Sequence, residues 1–197
     1  MRLSVSPDTL VPRADTESLV DKALELSVNA PEGLIAELGT GTGAIAIAVA
    51  SELPLRKVIA IEKYAPAIEV AKANIAEHGR GRIQLLQGSW LEALSDNSVA
   101  MVLANPPYLA DDDEHLPDLV YEPRTALVAG SNALADIELI VRDSTRAACA
   151  GAPLILEHGY TQGEAVRTLL LDYSYTTVGT SKDIAGLDRI SFGINTR

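Results

Sequence analysis

Apolar residues fall along the chain in two alternating textures: short apolar-rich runs, and longer stretches at helical spacing. The runs lie at residues 34–38, 58–61, 83–87, 99–104 and 153–157. Runs of this length, bounded by Gly, Pro or polar residues, predict strands, the first two of them buried. Residues 44–53 lie between the first two. Their Ile45, Ile47, Val49 alternation also fits a strand, but the alanines and the preceding glycine loop favour a helix. Pro66 fits the first turn of a helix opening near Ala65, where its missing N–H does no harm, and Ile68, Ala71 and Ile75 form that helix's apolar face. Helices are predicted again over 132–150 and 162–171. Two late pieces, 175–178 and 190–194, have no clear helix between them and predict a hairpin. At the front, Asp15 is placed to cap a helix through Val28 whose apolar face is Leu19, Val20, Ala23, Leu24 and Val28. The alternation predicts an α/β fold: a seven-stranded, mostly parallel, doubly wound sheet ending in an antiparallel hairpin. Residues 1–30 read as a hairpin-and-helix lead-in, and 31–197 as the α/β domain.

Charge narrows the partners. Lys and Arg total 16 against 27 Asp and Glu, a net charge of −11 that repels a phosphate backbone and weighs against a nucleic-acid substrate. Cys149 is the only cysteine, so no internal disulfide and no all-cysteine metal site can form. Its alanine-rich surroundings make it a small core residue. His78, His115 and His158 lack metal-ligand spacing, and no metal is expected. The N-terminus has no basic-then-apolar signal pattern, and the longest apolar run, 44–50, falls far short of the roughly 20 residues that span a bilayer. The cytoplasm is the default location.

The densest chemistry sits in Gly39-Thr40-Gly41-Thr42-Gly43, between the first strand and its helix. Glycines there let the backbone approach a ligand and adopt positive φ. Glu62 ends the second strand, 21 residues after Gly41, where a carboxylate can accept hydrogen bonds from both ribose hydroxyls. The pair reads as a nucleoside site. Gly39-x-Gly41-x-x-Ala44 formally satisfies the dinucleotide fingerprint, so NAD and S-adenosylmethionine both remain open on this loop alone. Trp90, at the end of the third strand, is placed to border an adenine ring.

Asn105-Pro106-Pro107-Tyr108 ends the fourth strand. The two prolines stiffen the loop and remove donors. The Asn105 side-chain carbonyl and the Pro106 backbone carbonyl offer two acceptors for the two hydrogens of a planar NH2 group, and the Tyr108 ring can pack against it. An amide or exocyclic amino nitrogen is a poor nucleophile because its lone pair is delocalised. Holding both hydrogens aims that nitrogen and favours its charge-developing form, which is orientation plus electrostatic stabilisation. This reading needs no metal and no covalent intermediate.

These residues resemble the HemK/PrmC family, the release-factor glutamine N5-methyltransferases. The likeness extends to Val11-Pro12-Arg13-Ala14-Asp15-Thr16-Glu17, to 122–127, to Glu157-His158-Gly159 with Gln162, and to Asp183 with 186–189. It implies a Rossmann-like class I methyltransferase fold with S-adenosylmethionine as cofactor. It implies that Gly39 to Gly43, Glu62, Trp90 and Asn105 bind that cofactor. Asn105, Pro106, Pro107 and Tyr108 would hold the substrate amide, Asn105, Pro106 and Tyr108 acting catalytically. Arg13 and Glu17 would help build the pocket mouth. The implied partner is a class I peptide chain release factor, through the glutamine of its Gly-Gly-Gln tip. Family members usually begin with a helical docking domain, whereas here the catalytic motifs start almost at once: a trimmed chain, or a short member with another docking partner. Glu62 stands where Asp is usual, and Gly151-Ala152-Pro153 replaces a common glycine pair. The acidic run Asp111-Asp112-Asp113-Glu114 reads as a solvated loop which, continued to Tyr121, is long enough for a lid. Alternatives to glutamine methylation are adenine N6-methylation of nucleic acid, a nicotinamide-dependent dehydrogenase, and a non-enzymatic scaffold retaining the fold.

Overall fold

A computed structural model describes residues 1–197. Seven strands form one sheet: β1 (Leu34–Leu38), β2 (Val58–Glu62), β3 (Ile83–Gln87), β4 (Val99–Ala104), β5 (Pro153–Glu157), β6 (Thr176–Lys182) and β7 (Asp188–Ile194). Their order is β3-β2-β1-β4-β5-β7-β6. β1 to β5 pair in parallel, and β7 inserts antiparallel between β5 and β6. The helices are α1 (Glu17–Ser27), α2 (Ala44–Glu52), α3 (Ala65–His78), the single turn α4 (Arg124–Leu127), α5 (Ala135–Ala147) and α6 (Gly163–Asp172). No helix is long and apolar enough to cross a membrane.

Successive strand residues face opposite sides, and here both sides are covered. Ile35, Ala60, Leu103 and Ile155 meet α1 and α2 on one face. Ala36, Ile61, Val102 and Leu154 meet α5 and α6 on the other. Burial on both faces explains why β2, β4 and β5 read as near-continuous apolar runs rather than alternating ones. Strand order reverses between β1 and β4, and in such sheets the crevice at the carboxyl ends is where ligands bind.

Several boundaries differ from the sequence reading. Asp15 does not cap α1. It lies inside a 3-10 turn, Ala14–Thr16, and Thr16 takes the cap position without a side-chain cap bond. Val28 falls past the last turn and is 81% exposed, so only Leu19 and Ala23 of the predicted face are fully buried. No hairpin forms in residues 1–30. Its first part runs across α3, and α1 shares the core of the sheet. The long helix over 132–150 contracts to α5. Asn132 turns its side chain back onto the Leu134 N–H at 3.1 Å, and Ala148 is already extended, bridging Val99. Cys149 therefore sits in the turn before β5, half-buried. β6 starts one residue later and runs four further than predicted, because its Thr, Gly and Ser residues on a sheet edge carry little apolar signal. The segment after Tyr108 contains a 3-10 turn, Leu116–Leu119, and α4.

Candidate active site

The carboxyl ends of β1 to β4 open into a cavity of about 460 Å³. The glycine loop Gly39–Thr42, Glu62 with Lys63 and Tyr64, Trp90, and Asn105 with Pro107 all line it. Asp8, Thr9 and Leu10 of the lead-in line it too. The residues singled out on successive strand ends thus face one space.

Glu62 anchors the glycine loop before any ligand is considered. One carboxylate oxygen accepts the Gly41 N–H at 3.0 Å, and the other accepts the Lys63 and Tyr64 N–H groups at 2.8 and 2.9 Å. Trp90 has a positive φ of 44°, rare for a bulky residue. That turn lays its ring over Gly39, where an added Cβ would meet the ring at 3.2 Å. An added side chain at Gly39 would crowd the tryptophan ring, and its own φ of +68° favours glycine independently. Gly43 does not line the cavity. It is the left-handed residue before α2, packed against Ile75 of α3. Beneath the loop, Glu37 is fully buried and neither carboxyl oxygen has a hydrogen-bond partner. Burial pushes its pKa up to about 8, with the Thr40 hydroxyl opposing and the Glu62 charge reinforcing the rise.

Asn105 is shared. It lines the large cavity and also a second one of about 250 Å³, which Arg13, Tyr108 and Glu157 line. Pro107 faces the first space and Tyr108 the second, while Pro106 is buried and lines neither. Burial, with the Glu157 charge behind it, raises the Tyr108 pKa, so the phenol stays protonated at neutral pH. Gln162 fixes this loop from below. Its amide donates to the Tyr108 carbonyl at 2.9 Å and its side-chain oxygen accepts the Gly159 N–H at 2.8 Å. Arg13 pairs with Glu122 at 2.7 Å, tying the lead-in to the loop before α4. Glu17 is exposed and lines neither cavity.

Two residues without an assigned role in the sequence belong here. Thr16 lines the large cavity, and its Oγ accepts the Asn105 side-chain N–H at 3.4 Å. Glu157 ends β5, is 2% exposed, and leaves one carboxyl oxygen unpartnered. Burial pushes its pKa up to about 7. Thr16, Arg189 and Asn105 lower it, and Asp15 raises it. A carboxylate closing the apolar run 153–157 was a signal legible in the sequence, as was Glu37 inside the run 34–38. Asp136, at the start of α5, also lines the large cavity.

The comparisons with known proteins agree with this layout. A family profile described as the methyltransferase small domain matches residues 16–132. A release factor glutamine methyltransferase of Vibrio cholerae is 45% identical over 194 residues, 97% of this chain and 68% of the relative. Among solved structures, the hMettl16 catalytic domain in complex with an MAT2A 3'UTR hairpin superposes with a TM-score of 0.77 at 15% identity, over 99% of this chain and 75% of that one. A release-factor-specific protein-(glutamine-N5) methyltransferase of Alicyclobacillus acidocaldarius superposes with a TM-score of 0.58 at 24% identity, over 99% of this chain and all of that one. The two structural likenesses, both under 25% identical, establish the fold alone, and the sequence identity to the curated relative is what shows the family. The chain belongs to the release factor glutamine methyltransferase family.

Proposed function

We propose that this protein transfers a methyl group from S-adenosylmethionine to the side-chain amide nitrogen N5 of a glutamine. The implied substrate is the Gly-Gly-Gln tip of a class I peptide chain release factor, a cytoplasmic partner. One observation carries the reading: Asn105 stands between two cavities, one suited to a nucleoside cofactor and one to a side chain entering from the other direction.

The larger cavity fits the cofactor by size and by charge. About 460 Å³ lies within the ordinary range for small-molecule sites. Its charged lining is Asp8, Glu62, Asp111 and Asp136 against Lys63 and Arg124. That excess of acid suits a ligand carrying sulfonium and ammonium charge better than the pyrophosphate of NAD, which favours methyl over hydride transfer. Gly39 to Thr42 would lie along the cofactor, Glu62 would take its ribose hydroxyls, and Trp90 would border its adenine. Gly43 supports them by setting the start of α2. When bound, S-adenosylmethionine supplies an electrophilic methyl group.

The chain's own residues do the rest. Asn105 Oδ1 accepts one amide hydrogen, and the Pro106 carbonyl would accept the other once the entering side chain reaches it beneath the cavity wall, which fixes the nitrogen and stabilises the positive charge that develops on it. Pro107 keeps the loop rigid and presents no competing N–H. Tyr108, protonated, packs on the flat amide. Arg13 shapes the mouth through its pair with Glu122, and Glu17 lies further out.

The deciding experiment offers purified, unmethylated class I release factor, RNA and DNA to the protein with radiolabelled cofactor, and locates the product by mass spectrometry. Methyl on glutamine N5 is expected. Asn105→Ala should lower turnover by about 10²-fold or more while retaining most cofactor affinity. Methyl on adenine would replace the reading, and calorimetric binding of NAD in preference to S-adenosylmethionine would end it.

A further inference from the structure

Two consecutive prolines stiffen the loop after β4, and they also deprive it of the N–H groups by which a loop is usually held. A stiff segment takes its aim from its ends. One end is β4. The other is the peptide group joining Tyr108 to Leu109, and both of its polar atoms are gripped. The Leu109 N–H donates to the Leu127 carbonyl at 3.0 Å, and the Tyr108 carbonyl accepts the Gln162 side-chain N–H at 2.9 Å. Leu127 ends α4 and Gln162 caps α6, so two separate elements pin the loop.

Gln162 fits in only one orientation. The Tyr108 carbonyl only accepts. The Gly159 N–H only donates, and it does so to the Gln162 side-chain oxygen at 2.8 Å. Turning the carboxamide over would lose both bonds. Gly159 is itself held. Its carbonyl accepts the Gln162 backbone N–H and the His158 Nδ1–H, both at 2.8 Å. His158 is fully buried, and burial lowers its pKa, so the ring is neutral and its Nε2 accepts the Ser191 hydroxyl at 2.8 Å. Ser191 in turn accepts the Thr180 hydroxyl at 2.8 Å, and Thr180 accepts an Arg167 N–H at 2.7 Å. Each proton in this series has one direction, and the series ties the Gly159 turn to β7, β6 and α6.

We propose that Gln162 is a positioning residue for methyl transfer: by holding the Tyr108 carbonyl it sets the aim of the proline loop, and with it the Pro106 carbonyl and Tyr108 ring that meet the substrate amide. This rests on the methyl-transfer reading above. Gln162 lines neither cavity, so its influence on turnover passes through the loop. A tilt of the pinned peptide moves the loop as one piece, because the prolines absorb little of it. A displacement of about 1 Å at a reacting group costs about 100-fold in rate.

Two variants of similar length separate aim from mere support. Gln162→Met removes both side-chain bonds. Gln162→Glu keeps an acceptor for the Gly159 N–H and adds negative charge at the start of α6, which favours the helix. Its other oxygen faces the Tyr108 carbonyl, acceptor against acceptor, and pushes the peptide away. Stability and turnover should therefore rank in opposite orders. In calorimetric melting, Gln162→Glu should stand above Gln162→Met. Turnover is measured on saturating, unmethylated release factor at about pH 8, where the introduced glutamate is ionised. There Gln162→Met should lose about 10-fold in kcat and Gln162→Glu about 100-fold. Cofactor affinity, read by calorimetric titration, should stay within about twofold in both. A supporting role alone would make Gln162→Glu the better of the two in both measurements. That ranking, or wild-type kcat in either variant, overturns the role. Gln162 is half-buried. Should one variant fail to fold, the other decides against wild type, a loss of kcat at unchanged cofactor affinity upholding the role and an unchanged kcat ending it. Wild type that leaves glutamine unmethylated removes the role together with the reading beneath it, whereas wild type that methylates glutamine beside fully active variants removes the role only.

Discussion

At the scale of single residues, the chain spends stability on buried carboxyl groups. Glu37 lies in the middle of the sheet with no hydrogen-bond partner and a pKa of about 8. Its ordinary value is 4.5. A folded pKa above the unfolded one means the stabilising state is the protonated one. That contribution is complete below about pH 4.5 and is lost as pH rises through 8. A tenfold difference in proton affinity between the folded and unfolded chain is worth roughly 1.4 kcal/mol. Glu37→Gln should therefore leave stability nearly unchanged at pH 4 and raise it by about 5 kcal/mol at pH 9. Urea unfolding at the two pH values reads the difference, and equal stability of both proteins at pH 9 would refute the assignment. The residue types here were legible in the sequence: a glutamate inside one apolar run and another closing a second. Their burial was not, because it depends on which elements cover the strand ends. Glu62 was legible as an acid at a strand end. That it would hold Gly41, Lys63 and Tyr64 by their amides could be read only from the folded turn.

Among elements, the most informative departure is in α3. Spacing marks Ile68, Ala71 and Ile75 as its inner face, yet the fully buried residues are Ala67, Ala71 and Asn74. Asn74 is inside because it is a fastener. Its amide donates to the Thr42 carbonyl at 2.8 Å and the Ser4 carbonyl at 2.9 Å, and its oxygen accepts the Ser4 N–H at 2.8 Å. One side chain so binds the glycine loop to the lead-in that crosses the cavity. Asn74→Ala leaves buried backbone groups unpaired and should cost about 1–3 kcal/mol. Residues 1–10 should also be clipped sooner by added protease, seen by mass spectrometry of the fragments. Unchanged cleavage in a destabilised variant would separate the two roles. Periodicity sees only apolar faces, so a polar residue buried for its bonds escapes it. The same limit explains β6, whose polar edge residues hide a strand nearly twice the predicted length.

For the whole molecule, the alternation of runs and helices was enough to fix the layering, since a strand covered on both faces must be apolar throughout. The common crevice followed from strand order, and with it the meeting of the glycine loop and the Asn105 loop. The helix ends and the contents of residues 109–128 did not follow, because local hydrogen bonds rather than patterning decide them. The net charge of −11 acts at this scale too. Self-repulsion in a compact body weakens as ions screen it. Raising NaCl from about 20 mM to about 0.5 M should lift the melting temperature by about 2–4 °C, the shift that about 1 kcal/mol produces in a domain of this size. A flat response in a calorimeter would mean that the charges are spread too widely to matter.

The position of β7 bears on how the protein is made. Synthesis proceeds from the amino end, yet this late strand is wedged in the interior of the sheet, between β5 and β6. Until residue 194 has left the ribosomal tunnel, β5 shows a bare row of amides and carbonyls, and β6 has no neighbour to join. The nascent polypeptide is obliged to wait, half-assembled and adhesive, for its closing piece. A stalled or prematurely stopped message would yield a product inclined to aggregate rather than a weakened enzyme.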